Sequence, residues 1–441
     1  MSLTETKPDG LSDPERPDRS DPNRPDPDRT GIGLPLPAGS GARAIRRRRK
    51  RQEQRQRRLV ALAFIVALAG SAVLIGAPHV GRRIAGIEGA RPAPAPAAVD
   101  PKVLLAHRHP DGSARSMTIF SDGEDQSSIV MLPAGTMAEV PSLGLEPLGR
   151  ALEVGGPTRL GSTVENLLGI DLSEVVVVDD ADLVALATPV APLSVEVAAR
   201  VEQVADDGTV DILYEPGRLS LTAEEIPAFL TAKGRDTDLA MLARHQSFWD
   251  SLLGRLAEPG SPELGGPPAV AEVLEGLALD DGVRARLLPV EPLGQADTLG
   301  LGTTAGELYQ VSSKELERFL ASTYPGAEAP ADRPQAQVLN GTGGVEVTAH
   351  AAERLVPAGI RVALTGNAPR FDYKVTQIVF YDEEQEDIAR EAQEALGVGR
   401  LVLSRRPLDV VDVTIIIGAD FNSEGGGVSE APAPEPTRRR T

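Results

Sequence analysis

Ala336-Gln337-Val338-Leu339-Asn340-Gly341-Thr342-Gly343-Gly344-Val345 reads as a short apolar strand that turns at a glycine-rich corner into a helix. Alternating apolar residues predict the strand over 336–339, and three- to four-residue apolar spacing predicts the helix over 345–356. Working outward, strands are expected over 361–364 and 377–381, a helix over 384–396 and a last strand over 413–417. This βαββαβ order predicts a four-stranded sheet with two helices on one face. A phosphate-cradling loop would sit at such a corner. The P-loop lysine and hydroxyl are absent, however, and glycine is the default residue for a strand-to-helix turn, so the turn reading is preferred.

Upstream of the corner, the Pro- and Ala-rich segment 326–335 reads as a linker, and residues 101–325 again alternate strand-like and helix-like runs, which predicts an α/β architecture. Strands are expected over 103–106, 117–120 and 129–132, separated by Pro110-Asp111-Gly112 and Asp122-Gly123-Glu124-Asp125. A short helix is expected over 160–168, a buried strand over 175–178, and helical spacing runs through 223–256.

The N-terminal hundred residues differ in kind. Residues 1–58 should be a disordered tail, because they lack the apolar surface that offsets ordering entropy; 1–42 repeat Asp, Pro and Arg units and a basic run follows. Ten of the 45 basic residues lie between positions 43 and 58. The uncharged run 59–77 would span ~28 Å as a helix, enough for a hydrocarbon core. A transmembrane helix over 59–80 is therefore expected, with the basic flank and hence the N-terminus cytoplasmic and the main domains extracytoplasmic at the cell membrane. A secretory signal is the competing reading, but an h-region is shorter and begins earlier. A Pro/Ala spacer (81–100) follows, and a second disordered tail is expected over 422–441.

The formal charge of -19 belongs mainly to the part beyond the span and argues against nucleic-acid binding there. With no cysteine in the chain, disulfides, thiolate metal sites and cysteine nucleophiles are excluded. High Ala, Arg, Gly and Pro usage suits an actinobacterium.

Few residues suggest chemistry. His107 and His109 have the spacing of a strand-end metal pair, but without further ligands they are expected to be exposed loop histidines. Asp179, Asp180 and Asp182 are expected to close a strand and cap a helix. Asp236 and Asp238 flank Thr237 and precede Arg244, His245 and Gln246 on a helix. Such carboxylates suit a divalent cation held against phosphate, with Arg244 neutralising the anion. An N-cap ahead of a solvated helix face is the simpler reading.

The chain between about 103 and 324 resembles the LytR-CpsA-Psr (LCP) domain of bacterial wall-polymer ligases. The resemblance rests on Gly155-Gly156-Pro157, on Thr163-Val164-Glu165-Asn166-Leu167-Leu168-Gly169-Ile170 and on Val175-Val176-Val177-Val178-Asp179. Residues 336–421 resemble the LytR C-terminal domain, of the cell envelope-related transcriptional attenuator type. That resemblance rests on Val338-Leu339-Asn340-Gly341-Thr342, on Gly366-Asn367-Ala368-Pro369-Arg370-Phe371-Asp372-Tyr373 and on Ile417-Gly418-Ala419-Asp420-Phe421.

The first resemblance implies an α/β/α domain that binds a polyprenyl-pyrophosphate lipid through arginines, uses carboxylates on Mg2+ and transfers a glycopolymer to peptidoglycan. Here the pattern departs. The family's Ile-Pro-Arg-Asp-Thr run falls on Leu132-Pro133-Ala134-Gly135-Thr136, its early acidic positions fall on Arg108 and Met117, and its later arginines on Thr231, Lys233 and Met241. Asp236, Asp238, Arg244 and Gln246 persist, with Lys233 a partial substitute. Losing several groups that stabilise a leaving pyrophosphate should abolish turnover before it abolishes binding.

The expectation is a degenerate, non-catalytic domain binding a lipid-linked precursor, a wall polymer or an envelope protein through Lys233, Asp236, Asp238, Arg244 and Gln246. The alternative is a divergent phosphotransferase, with Mg2+ on Asp236 and Asp238. Transcriptional attenuation, a label borne by LytR-type proteins, would need DNA contact by the basic tail.

Overall fold

A computed structural model describes residues 101–421 apart from 124–125, 205–208, 233–236, 281, 284, 296–306, 326 and 405–409. The two tails, the basic run, the apolar run 59–77 and the spacer after it lie outside the described residues. Among the described residues no helix is long and apolar enough to cross a membrane.

In chain order the elements are β1 (Lys102–Arg108), β2 (Ala114–Ser121), β3 (Ser128–Pro133), β4 (Met137–Val140), β5 (Gly144–Pro147), α1 (Arg150–Leu168), β6 (Glu174–Val178), α2 (Asp180–Ala187), β7 (Leu193–Val197), β8 (Val201–Val204), β9 (Val210–Tyr214), β10 (Gly217–Leu221), α3 (Ile226–Thr231), α4 (Asp238–Leu256), α5 (Pro268–Leu277), β11 (Ala285–Leu287), β12 (Val290–Gln295), β13 (Glu307–Val311) and α6 (Ser313–Thr323). The C-terminal domain adds β14 (Gln335–Asn340), α7 (Val347–Leu355), β15 (Arg361–Asn367), β16 (Gln377–Phe380), α8 (Glu386–Leu396), β17 (Arg400–Leu403) and β18 (Val413–Ile417).

The first domain is built on a mixed sheet of order β11-β3-β2-β1-β6. Its central strands are apolar at nearly every position because both faces are covered. Leu104, Ala106, Met117, Ile119, Val130 and Leu132 face one core with residues of α1 and α6. Val103, Leu105, Phe120, Ile129, Met131 and Val176 face the other, with residues of α2, α4 and α5. In that second core Trp249 of α4 meets Phe120 edge-on at 4.9 Å. Burying such a ring stabilises the helix docking by about 1.5–3 kcal/mol.

The expected short helix over 160–168 is the second half of a longer one. Gly156, at φ 66°, lets α1 kink beside Pro157. The expected continuous helix over 223–256 is broken: a single 3-10 turn (Ala223–Glu225) leads into α3, and α4 starts afresh behind Thr237, whose side chain accepts the Ala240 N–H at 3.1 Å. Asp179 caps α2 by accepting the Ala181 and Asp182 N–H groups at 2.9 and 3.0 Å, while the Asp182 carboxylate takes the Asp179 N–H. Such a cap contributes about 1 kcal/mol.

The C-terminal sheet has five strands, not four, in the order β15-β14-β18-β16-β17. The additional strand, β17, runs parallel to β16 at the sheet edge and is half-exposed, so it lacks the alternating burial that marks an inner strand. Both helices cover one face and share a core with Ala336, Val338, Ile378, Ile415 and Ile417.

The segment between the domains is tied down, since Arg333 Nη2 donates to the Gly169 carbonyl at 2.8 Å. The kinked α1 reaches across as well. The Asn166 amide gives to the Val362 carbonyl at 2.9 Å and accepts the Val362 N–H at 2.8 Å. Arg159, folded over Gly155, donates to the Pro141 carbonyl at 2.9 Å and pairs with Glu346.

Candidate functional site

A cleft of about 120 Å³ opens at one end of the first sheet. Its walls are the turn after β1, the start of β2, the end of β3, the start of α1 and the first turn of α4. Gly149 lets three of these meet. Its N–H bonds the Ala134 carbonyl, its carbonyl accepts the Ala114 N–H, and a Cβ there would lie 2.5 Å from the Ala114 oxygen.

Two carboxylates and two guanidiniums line the cleft, Asp111 and Asp238 against Arg115 and Arg150. Burial pushes Asp111 up, but the Ser113 hydroxyl at 2.6 Å, the Ser113 N–H at 2.9 Å and His109 together hold it at about 2. Burial also pulls Arg115 below its ordinary value, opposed by Asp180, Asp238 and Asp111. Arg150 is drawn to Glu146 and Glu153, at 3.0 and 3.6 Å. The buried Asp238 receives no charge relief from Glu307, whose carboxylate accepts the Asp238 N–H at 3.0 Å and the Tyr309 hydroxyl at 2.5 Å. Burial, with that hydrogen bond next, raises the Tyr309 hydroxyl far above a phenol's usual range.

Of the residues expected from sequence, the described ones separate. Asp238 lines the cleft. Arg244, six residues on, is buried on another face of α4 and donates to the Ala232 carbonyl. Gln246 is exposed, and Lys233 and Asp236 lie outside the described residues. Among the described residues no three His, Asp or Glu side chains converge on a cation position.

His107 departs from the exposed-loop expectation. It belongs to β1, is buried, and its Nε2 lies 2.9 Å from Asp180 Oδ1. Burial lowers its basicity, with Asp180 opposing. The strand simply runs two residues beyond the apolar run that marked it. His245 is also buried, against the Leu230 carbonyl, and held at about 4.

Several positions at which the sequence resemblance implied charged residues hold apolar ones here. Ala134 and Met241 line the cleft, and Met117 is core. A Cβ on Gly135 would lie 1.9 Å from the Glu307 carbonyl, because β13 crosses that position and Tyr309 N–H bonds the Gly135 carbonyl at 3.0 Å. No side chain fits there with β13 in place. Sequence reasoning missed Arg115, Asp111 and Arg150, which carry no local motif and become neighbours only through the sheet. The glycine corner is a turn: Asn340 Oδ1 accepts the Thr342 and Gly343 N–H groups at 3.0 and 2.9 Å, leaving neither for an anion.

Comparison with curated proteins finds no match. Among solved structures, the chain is similar to B. subtilis TagV, with 15% identity and a TM-score of 0.40, covering 51% of this chain and 95% of that one. B. subtilis TagT gives 15% identity and 0.39, covering 54% and 93%. A LytR-Csp2A-Psr enzyme from Actinomyces oris gives 15% and 0.38, covering 52% and 90%. The LytR cell envelope-related transcriptional attenuator family model matches residues 334–421, the span of the five-stranded C-terminal domain.

Proposed function

We propose that this is a membrane-tethered, extracytoplasmic cell-envelope protein whose first domain binds a phosphorylated wall polymer or its lipid-linked precursor without turning it over. The observation that carries the reading is the cleft's charge balance. Two guanidiniums face two carboxylates, and Ala134 and Gly135 stand where the LCP resemblance implies an arginine and an aspartate.

Departure of a pyrophosphate develops negative charge that surplus cations must stabilise in the transition state. Arg115 and Arg150 are already opposed by Asp111, Asp238, Glu146 and Glu153, so little is left over for a leaving group. A single phosphate held beside Arg115 needs less compensation than a pyrophosphate does.

The test uses the full-length chain in lipid nanodiscs with a polyprenyl-pyrophosphate-linked glycan, a peptidoglycan acceptor and Mg2+. The expected result is retained lipid, no released polyprenyl phosphate, and at least tenfold weaker retention in Arg115→Ala. Release of polyprenyl phosphate would establish the phosphotransferase reading instead. Unaltered retention in Arg115→Ala would move binding away from the cleft.

A further inference from the structure

Where the two domains meet lies a second cavity, of about 400 Å³. One wall is the β4–β5 hairpin tip, Ser142, Leu143 and Gly144; the other is the glycine corner and the end of β15. Two of the three C-terminal motifs singled out in the sequence converge here, one through Asn340 and the other through Gly366-Asn367. The size suits a small ligand.

The lining has one charged group, Glu346, and Arg159 pairs with it from the first domain. Among the described lining residues no cation remains to attract a phosphate. The remaining lining is amide, hydroxyl, glycine and exposed apolar surface. Ser142 and Thr348 hydroxyls bond each other across the domain boundary at 3.0 Å, and each retains capacity for a further hydrogen bond. The exposed Asn367 amide makes no hydrogen bond to the described residues. Phe371, 52% exposed, packs over Gly343, one residue from the lining Gly344, and Val345 is 85% exposed.

The backbone is strained at this place and, among the described residues, at no other non-glycine position. Ser142 at φ 73° and Glu346 at φ 69° hold left-handed conformations, one on each wall. A peptide adding a strand to β15 is disfavoured, since its outward Val362 and Thr365 N–H groups are already bonded to Asn166 and Glu139. What fits is a ligand that reads neutral hydroxyl and amide groups and offers an apolar face to an aromatic ring.

We infer that the cavity between the two domains binds an uncharged pyranose oligosaccharide, held by the Asn367 amide and seated against Phe371. This site is separate from the cleft and does not depend on the cleft reading. Sugar hydroxyls meet Asn367, Ser142 and Thr348, and the C–H face of a ring meets Phe371. The domain boundary thereby becomes a reader of neutral glycan, while the cleft meets phosphate.

The test is saturation-transfer NMR and calorimetry on the full-length chain with N-acetylchitotetraose and maltotetraose, and with poly(glycerol phosphate) as an anionic competitor. At least one tetrasaccharide should bind. Its affinity should fall at least tenfold in Asn367→Ala and in Phe371→Ala, with melting temperature unchanged because both side chains are exposed, and should be unaltered in Arg115→Ala. Absence of binding by both sugars, affinity unaffected by both substitutions, or displacement of the sugar by poly(glycerol phosphate) would each overturn the proposal.

Discussion

The cleft and the domain junction use their polar groups in opposite ways. In the cleft, Asp111 and Arg150 are tied to near neighbours in sequence, Asp111 to Ser113 and Arg150 to Glu146 and Glu153. At the junction, the bonds join residues 187, 196 and 226 positions apart: Arg159 to Glu346, Asn166 to Val362, and Glu139 to Thr365. Local bonds preset a site's charges but hold little of the fold. Long-range bonds in buried surroundings hold two domains in register and are costly to lose, because each broken one strands a partner away from water.

The sharpest way to break this contrast is Asn166→Ala. It removes both bonds to Val362 and leaves a buried N–H and carbonyl unpaired, so a loss of about 3 kcal/mol is expected in urea denaturation. A cost within the scatter of surface substitutions would mean the junction is held by packing alone.

A smaller effect follows from Glu139. Burial holds its carboxyl at about 7, against the Thr365 hydroxyl and N–H, and against Arg361. The ordinary value is 4.5, so in the window between these two the folded chain keeps a proton that the unfolded chain has released. Stability from this group is present at the acid end and is lost as pH rises through 7. His107 and His245, with lowered values, act in the opposite sense, gaining stability as pH rises toward 6.5. The informative quantity is therefore a difference between proteins. Between about pH 5 and about pH 8, wild type should lose on the order of 2 kcal/mol relative to Glu139→Gln, which keeps an acceptor for Thr365. Parallel profiles would remove Glu139 from the energetics of the junction.

The smallest expected effect lies in the cleft. Arg115→Ala should change stability by about 1 kcal/mol or less in the same denaturation assay, since two of its three balancing carboxylates, Asp111 and Asp180, are exposed and only Asp238 is buried. A loss comparable to that of Asn166→Ala would show that the cleft is part of the structural framework.

How much was legible varied with burial. The ends of the expected C-terminal strands and helices fall within about three residues of the sequence reading, the largest difference being at β15, because each inner element buries one regular face. β17 was missed because an edge strand need not alternate. In the first domain, β1–β3 and β6 were visible as apolar runs, whereas the paired strands β7–β10 were not, being short and partly solvated. The cap at Asp179 was readable since a capping bond spans three residues. The burial of His107 was not, since its partner Asp180 lies 73 residues away.

By itself the amino-acid order determined what depends on neighbours in the chain: the α/β alternation, the cap at Asp179, the corner at Asn340 and the absence of thiol chemistry. Only the tertiary structure decided that Arg115 opposes Asp238, that β13 closes the space at Gly135, and that Asn166 clasps Val362. Those depend on approaches between distant segments, and such approaches are set by the packing of whole elements against a shared core, which no local pattern encodes.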